Sequence, residues 1–294
     1  MWLVVTAIGY FLNAVAAVVD KFLIAKKIPN PAVYTFYITL LSLVGLVLAP
    51  WGFAPISPVN FLWVLTAGLS FTFALLFLFK GLSVNETTRI TPFIGGLSPV
   101  FVFFFSFWLL AERLASRQII ALVIIIVGTI LISYGKSSRQ NARRGFFYAF
   151  VSALLFGLSY TLTKQVYNEL NFINGFIWLR LTTFLGGMLL LLNSANRRDI
   201  LRRPEKSGKT GLLFLGGQIS GALSFILVNY AISLASVTLV NALQGLQYVF
   251  LLFLILILAK RRPHLLEEKM KGRVLWQKIA AVGLIVAGLV FLVL

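Results

Sequence analysis

The stretch KGLSVNETTRITPFIGGLSPV (80–100) occurs a second time, in diverged form, as YAISLASVTLVNALQGLQYVF (230–250). A shift of 150 positions aligns the two stretches without a gap. Identical residues then coincide as follows: Ser83 with Ser233, Thr88 with Thr238, and Gly95 with Gly245. Self-similarity over such a distance indicates an internal duplication, so the chain contains one structural unit twice.

Other parts of the chain extend the duplication in both directions. Gly128 corresponds to Gly288 further along, and Lys21 corresponds to Lys164 earlier. Residues around the later glycine pair also match, namely Ile119, Ala121 and Ile125 with Ile279, Ala281 and Ile285. The sequence therefore divides into a first repeat at 1–135, a basic linker at 136–144 and a second repeat at 145–294.

The composition is that of a membrane protein. The chain is 60% hydrophobic, its mean hydropathy is +0.95, and only 12% of its residues are charged, against about 25% in soluble domains. Apolar runs of about 18 residues or more predict membrane-spanning helices. Ten such runs occur, at 2–25, 32–50, 61–80, 89–110, 118–135, 145–167, 173–193, 211–232, 236–259 and 274–294.

The predicted fold is thus an all-α polytopic membrane protein with ten transmembrane helices in two five-helix repeats. Because five is an odd number of crossings, the second repeat begins on the side of the membrane opposite to the first. The two repeats are therefore expected to be inverted, related by a pseudo-two-fold axis in the membrane plane.

The distribution of basic residues predicts the orientation. In a soluble protein, a net charge of +18 would suggest nucleic acid as a partner. Here most lysines and arginines fall in the loops after the odd-numbered spans. Basic loops stay on the cytoplasmic side, where anionic lipids attract them. We therefore expect a multi-pass protein of the plasma or inner membrane, with cytoplasmic odd loops, both termini outside, a bilayer partner and no nucleic acid.

Few residues could support enzyme chemistry. The chain has no cysteine, and its single histidine, His264, lies in a charged loop. No Ser-His-Asp set, histidine cluster, carboxylate pair or phosphate-binding glycine loop is present. The sequence accordingly predicts no catalytic residues, no metal and no cofactor, and it argues against an enzyme.

Uncharged polar side chains within the apolar runs are the candidate binding residues. Placing a polar group in hydrocarbon costs free energy, so such residues tend to have a function. Asn241, Gln244 and Gln247 follow one another at intervals of three, and Tyr248 is next. Asn13 lies in the middle of the first run, and Gln218 lies in the eighth. We predict that these residues contact a small-molecule substrate near the membrane centre, the alternative being hydrogen bonds that hold helices together.

Charged residues within the runs admit two interpretations. Asp20 is a carboxylate inside an apolar run and could couple transport to protons, or form a structural ion pair. The neighbouring Lys21 can extend to the membrane surface. Arg180 lies in the seventh run and could form an ion pair or bind a carboxylate or phosphate.

Two prolines, Pro92 and Pro99, lie in the fourth run and have no counterpart in the ninth. Each removes a backbone hydrogen bond, so we expect them to kink this helix and allow it to move.

The segment PFIGGLSPVFVFFFSFWLLAERLASRQIIALVIIIVGTILIS (92–133) resembles the fourth and fifth helices of the EamA branch of the drug/metabolite transporter superfamily. The second copy is similar but more divergent. Ala111 departs from the pattern, since many members have glycine before the glutamate. The matching features are Pro99, Glu112-Arg113-Leu114, Gln118 and Gly128, together with Arg180 in a second helix and Lys164 near the end of a first helix.

The resemblance implies ten helices of inverted repeats around a central cavity, and secondary transport of small metabolites, often export. It implies no particular substrate, and many members are thought to have both termini inside. Combined with the amide-rich stripe, it leads us to expect a permease or exporter for a neutral or zwitterionic metabolite. The alternative is a non-transporting membrane interaction or lipid-handling protein, in which the amides would pack against helices.

Overall fold

The computed structural model describes residues 1–27, 30–84, 87–133, 142–201, 208–261 and 273–293. Within these ranges the regular structure is helical and no strand is present. The helices are α1 (Trp2–Lys27), α2 (Pro31–Leu41) with a following 3₁₀ helix (Ser42–Trp51), α3 (Pro58–Val84), α4 (Thr87–Leu109), α5 (Ser116–Ser133), α6 (Ala142–Glu169), α7 (Phe172–Leu189) with a following 3₁₀ turn (Leu190–Leu192), α8 (Ser194–Leu201), α9 (Gly208–Leu234), α10 (Val237–Ala242), α11 (Gln244–Arg261) and α12 (Arg273–Val293).

The apolar runs coincide with these helices. Among the described residues, seven helical segments are long and apolar enough to cross a membrane. Three shorter apolar segments, Phe93–Leu109, Ser116–Leu131 and Ile279–Gly288, lie in α4, α5 and α12. The short helix α8 was not predicted, because its sequence SANRRDIL is polar and follows directly on an apolar run.

Local signals in the sequence explain where several helices begin. The Asn30 side chain accepts from the N–H of Ala32 and caps α2, whose first residue is a proline. Asn171 caps α7 and Ser236 caps α10 in the same way. Such side chains replace the hydrogen-bond partners that the first turn of a helix lacks.

The ninth run was predicted as one helix, but the structure divides it at Leu243 into α10 and α11. The N–H of Leu246 donates to the carbonyl of Leu243 at 2.9 Å, three residues back instead of four. Just before the break, Asn241 Nδ2 donates to the carbonyl of Val237 at 3.0 Å. Asparagine competes with the backbone for its own hydrogen bonds, which favours such an interruption.

The last helices of the two halves, α5 and α12, pack together reciprocally. Each presents a glycine to the alanine and isoleucine of the other: Gly128 to Ala281 and Ile285, and Gly288 to Ala121 and Ile125. Because residue numbers rise along one helix as they fall along the other, the two helices are antiparallel. Equivalent helices that pack in this way are related by a two-fold axis perpendicular to them, which is the geometry that an inverted repeat requires.

The two halves interlock and share one core. The most extensive contacts join the first helix of each half to the third helix of the other, α6 to α3 and α1 to α9. Serine hydroxyls bond to backbone carbonyls across both pairs: Ser152 to Ala74 and Ser159 to Ala67 between α6 and α3, and Ser220 to Leu12 between α9 and α1. Small residues allow this close approach.

The bundle has two distinct ends. The N-terminus and the loops after the even-numbered runs meet at one end, where Trp2, Ile56, Leu110, Leu170 and Ala235 pack against a single apolar cluster. We call this the even-loop end and its opposite the odd-loop end. A separate apolar cluster, built around Tyr34, Phe79, Ile90 and Ala149, lies toward the odd-loop end.

Candidate functional site

The amides Asn13 and Gln247 meet between the two halves. Asn13 Nδ2 on α1 donates to Gln247 Oε1 on α11 at 3.0 Å. Counting along the helices from the even-loop end at ~1.5 Å per residue, Asn13 lies at about 17 Å and Gln247 at about 15 Å. The hydrophobic layer of a membrane is roughly 30 Å thick, so the pair lies near its middle.

The residues beside this pair are held by internal hydrogen bonds. Asn241 is only 1% exposed and bonds within its own helix. Tyr10 Oη donates to the carbonyl of Val240 at 3.0 Å. The Tyr248 side chain lies against Gly95, and its hydroxyl donates to the carbonyl of Thr91 at 2.7 Å. Tyr10, Gln247 and Tyr248 therefore connect helices of the two halves, whereas Asn241 bonds only within α10.

Gln218 and Gln244 differ from these residues. Both are half-buried, and neither side chain forms a hydrogen bond with another described residue. The structure thus brings Asn13 and Gln247 together as bonded partners, whereas the amides of Gln218 and Gln244 bond no described residue. Unused amides can both donate and accept hydrogen bonds from a bound molecule.

Several predicted residues lie outside what the structure describes. The side chains of Asp20, Lys21 and Pro92 are among these, although the backbone of each falls within a helix. Pro99 is buried, and α4 runs as one continuous helix past both prolines. The kink at Pro92 and Pro99 stays a prediction.

Arg180 occupies a cage of aromatic rings. Its side chain is 5% exposed, and its Cζ atom lies 4.0 Å from the ring centroid of Phe225, 5.2 Å from that of Phe176 and 5.6 Å from that of Phe71. Its Nε atom is buried and has no hydrogen-bond partner among the described residues. The ion pair considered for Arg180 is not formed with any described carboxylate.

The cage is assembled from both halves. Phe71 belongs to α3 of the first half, whereas Phe176 and Phe225 belong to α7 and α9 of the second. The Phe71 ring lies 5.3 Å from Phe225 and 6.4 Å from Tyr160, measured between centroids. These partners could not be predicted from the sequence. The chain has 27 phenylalanines, and their spacing does not show which of them lie around Arg180.

A second polar cluster lies at the even-loop end. Thr238 Oγ1 donates to Glu112 Oε2 at 3.1 Å and lies 2.8 Å from Ser106 Oγ. The other carboxylate oxygen, Glu112 Oε1, is buried and accepts from no described residue. The cluster joins α4 of the first half to α10 of the second. The sequence marks Glu112 as part of the family-like motif, and its contact with Thr238 follows from the tertiary structure.

Lys164 lies at the same end. Its Nζ donates to the carbonyls of Ile232 and Ser233 at 3.0 and 3.3 Å, near the end of α9. A cation there complements the partial negative charge of the helix end.

Ala111 has a left-handed backbone conformation, with φ of 52°. It follows α4, and the N–H of the next residue, Glu112, donates back to the carbonyl of Ser106 at 3.1 Å. Glycine adopts this conformation without strain, which explains why glycine suits the position and why alanine is costly there.

Comparison with known proteins gives two findings. The sequence matches the EamA-like transporter family over residues 1–134 and again over residues 143–268. A solved structure titled only "Crystal structure of protein" superposes with a TM-score of 0.68 at 18% identity, covering 98% of this chain and 95% of that one. At this identity the likeness shows a shared fold. No curated protein matches the sequence.

Proposed function

Because the chain is a helical membrane protein that belongs to the EamA-like transporter family, we propose that it is a secondary transporter for a small, neutral or zwitterionic metabolite, working by alternating access. The observation that carries the proposal is the antiparallel packing of equivalent helices, Gly128 against α12 and Gly288 against α5. Inverted repeats give two conformations of similar energy, in which a central site opens to one side and then to the other.

The proposal includes ten crossings of the membrane. Seven described segments are long enough by themselves, and the three shorter ones occupy the corresponding places in α4, α5 and α12. The odd-loop end would face the cytoplasm of a plasma or inner membrane. Exposed Arg197 and Arg198 on α8 lie beside the exposed apolar residues Leu192 and Leu201, an arrangement suited to anionic lipid headgroups.

In the proposed mechanism, substrate reaches the polar residues at the centre of the bundle. Gln218 and Gln244 offer amides that bond no described residue, and substrate could replace the bond between Asn13 and Gln247. Opening of the even-loop end would separate Thr238 from Glu112 and Ser106. The interruption of the ninth run at Leu243 lies between this cluster and the central amides, where it can serve as a hinge.

A reversible cross-link at the even-loop end tests this proposal. The chain has no cysteine, so the double variant S106C/T238C carries the only thiols, at positions whose side-chain oxygens lie 2.8 Å apart. Cells producing the wild type, the double variant or S106C alone are compared by untargeted mass spectrometry of medium and cytosol. We expect at least one metabolite to change its distribution between cytosol and medium in cells that produce the wild type or S106C. Cells that produce the oxidised double variant should show no such change.

Everted vesicles provide the control for the cross-link. Adding a reductant should restore movement of that metabolite in the double variant and leave the wild type unchanged. If no metabolite is redistributed by the wild type, or if the oxidised double variant transports as the wild type does, transport through an opening at this end is refuted.

The second candidate is a non-transporting membrane interaction or lipid-handling protein. The internal bonds of Asn241, Gln247 and Tyr248 favour it, because residues satisfied by packing need no ligand. It predicts that the wild type and the oxidised double variant give the same metabolite distribution.

A further inference from the structure

We propose that Arg180 and its aromatic cage bind the carboxylate of a substrate that has an apolar body. This inference rests on the proposed function and names the class of molecule carried. Binding would place the carboxylate against the guanidinium edge and the apolar body against the rings of Phe71, Phe176 and Phe225.

The first argument is the unbalanced charge of Arg180. An arginine side chain stays protonated in proteins, and withdrawing a charge from water is costly unless a partner compensates. No described carboxylate pairs with this guanidinium. Three aromatic rings recover part of the cost by cation–π attraction. The remaining deficit is what an anionic ligand would supply.

The second argument is the unused hydrogen-bonding capacity. Arg180 Nε is buried without a partner among the described residues, and Nε–H with a terminal N–H forms the two-pronged edge that a carboxylate recognises. Thr183 Oγ1, one turn further along α7, is also buried and bonds no described residue. Residues three apart lie on the same side of a helix. A structural arginine would instead be expected to bond the carbonyls or hydroxyls around it.

The third argument is the position of the cage. Counting along α7 from Phe172, Arg180 lies at about 12 Å from the even-loop end. Counting back along α9 from Leu234, Phe225 lies at about 14 Å, in agreement with their contact. The cage is therefore well inside the membrane and includes helices from both halves. A carboxylate bound there places its negative charge directly beside the guanidinium and compensates that charge within the apolar core.

Matched acids and amides test the proposal on the full-length protein in detergent. The probes are L-leucine, L-phenylalanine and 3-phenylpropionate, each paired with its primary amide, and binding is followed by the unfolding temperature and by calorimetry. We expect at least one acid to bind and to raise the unfolding temperature. Its amide should bind at least tenfold more weakly, because a hydrogen bond to a charged group contributes about 1.5–3 kcal/mol.

Variants locate the effect at Arg180. R180M should abolish the preference for acid over amide, whereas R180K should keep the preference with lower affinity, because lysine retains the charge and loses the two-pronged edge. R113M is the matched control, since Arg113 is an exposed arginine at the even-loop end, and it should bind as the wild type does. Each variant is first shown to be monodisperse.

The proposal is overturned if none of the acids binds, if amides bind as tightly as their acids, or if R180M keeps the preference. The comparison of acid with amide uses the wild type alone. It therefore still tests the proposal if R180M folds poorly. A negative result here with a positive result from the S106C/T238C cross-link refutes the carboxylate site alone. Transport itself is judged by the cross-link.

Discussion

The contact between α5 and α12 leads to a prediction with an internal control. A Cβ atom at Gly288 would lie 2.6 Å from Ile125 Cγ1 and 3.1 Å from the carbonyl oxygen of Ala121. The isoleucine side chain can move, but the backbone oxygen cannot move without displacing its helix. On the same helix, Gly283 has nothing within 4 Å of such an atom. G288A and G283A are thus the same change in two surroundings.

The expected difference follows from two contributions. Replacing glycine by alanine in a helix favours the folded state by up to about 1 kcal/mol, and this applies to both variants. Overpacking a close contact costs about 1–3 kcal/mol, and this applies to G288A alone. The helix propensity cancels in the comparison, so G288A should be less stable than G283A by about 1–3 kcal/mol, or on the order of 5 °C in unfolding temperature.

The measurement is thermal unfolding in detergent, followed by the fluorescence of the six tryptophans. Because the contact is reciprocal, G128A should behave as G288A does: the Cβ it adds would lie 2.9 Å from the carbonyl oxygen of Ala281. If G288A and G283A unfold within 1 °C of each other, the close approach is absent. If G128A resembles G283A instead, the two-fold relationship of the helices is refuted.

Three further predictions concern other contacts. A111G should raise the unfolding temperature by about 2 °C, because it removes left-handed backbone strain of about 1 kcal/mol. A54G, in a loop without positive φ, should lower the unfolding temperature. Equal effects of the two substitutions would show that the backbone of Ala111 is not strained. A double-mutant cycle with N13L and Q247L should give a coupling of about 0.6 kcal/mol and no more than ~1.7, and additivity would show that the bond contributes nothing. Y248F keeps the ring and loses the bond to a carbonyl of α4, so it should cost about 1 kcal/mol in the same unfolding assay, and an unchanged stability would show that the bond is not formed.

Much of the architecture could be predicted from the sequence, because a helix in a membrane must satisfy its backbone hydrogen bonds internally and present apolar side chains to lipid. Both requirements are local, so runs of apolar residues mark the helices. The break at Leu243 escaped prediction because the apolar run continues across it. No proline marks the break, and Asn241 is the polar residue beside it.

The candidate site could be predicted from the sequence only in part. Polarity marked Asn13, Gln218, Gln244 and Gln247 as candidate binding residues, because amides in apolar runs are rare enough to notice; that they contact substrate stays a prediction. Polarity could not show that Asn13 and Gln247 bond each other, 234 positions apart. Arg180 was noticed for its charge, but its neighbours were not.

Composition and periodicity along the chain predict the helical membrane fold and the rare polar residues, and comparison of two stretches shows the duplication. Which residues meet depends on the tertiary structure. It placed Phe71 of the first half and Phe225 of the second around Arg180, and Thr238 beside Glu112. Such contacts depend on how inverted repeats interlock, and the packing of helices against one another is a property of the whole bundle that no single segment encodes.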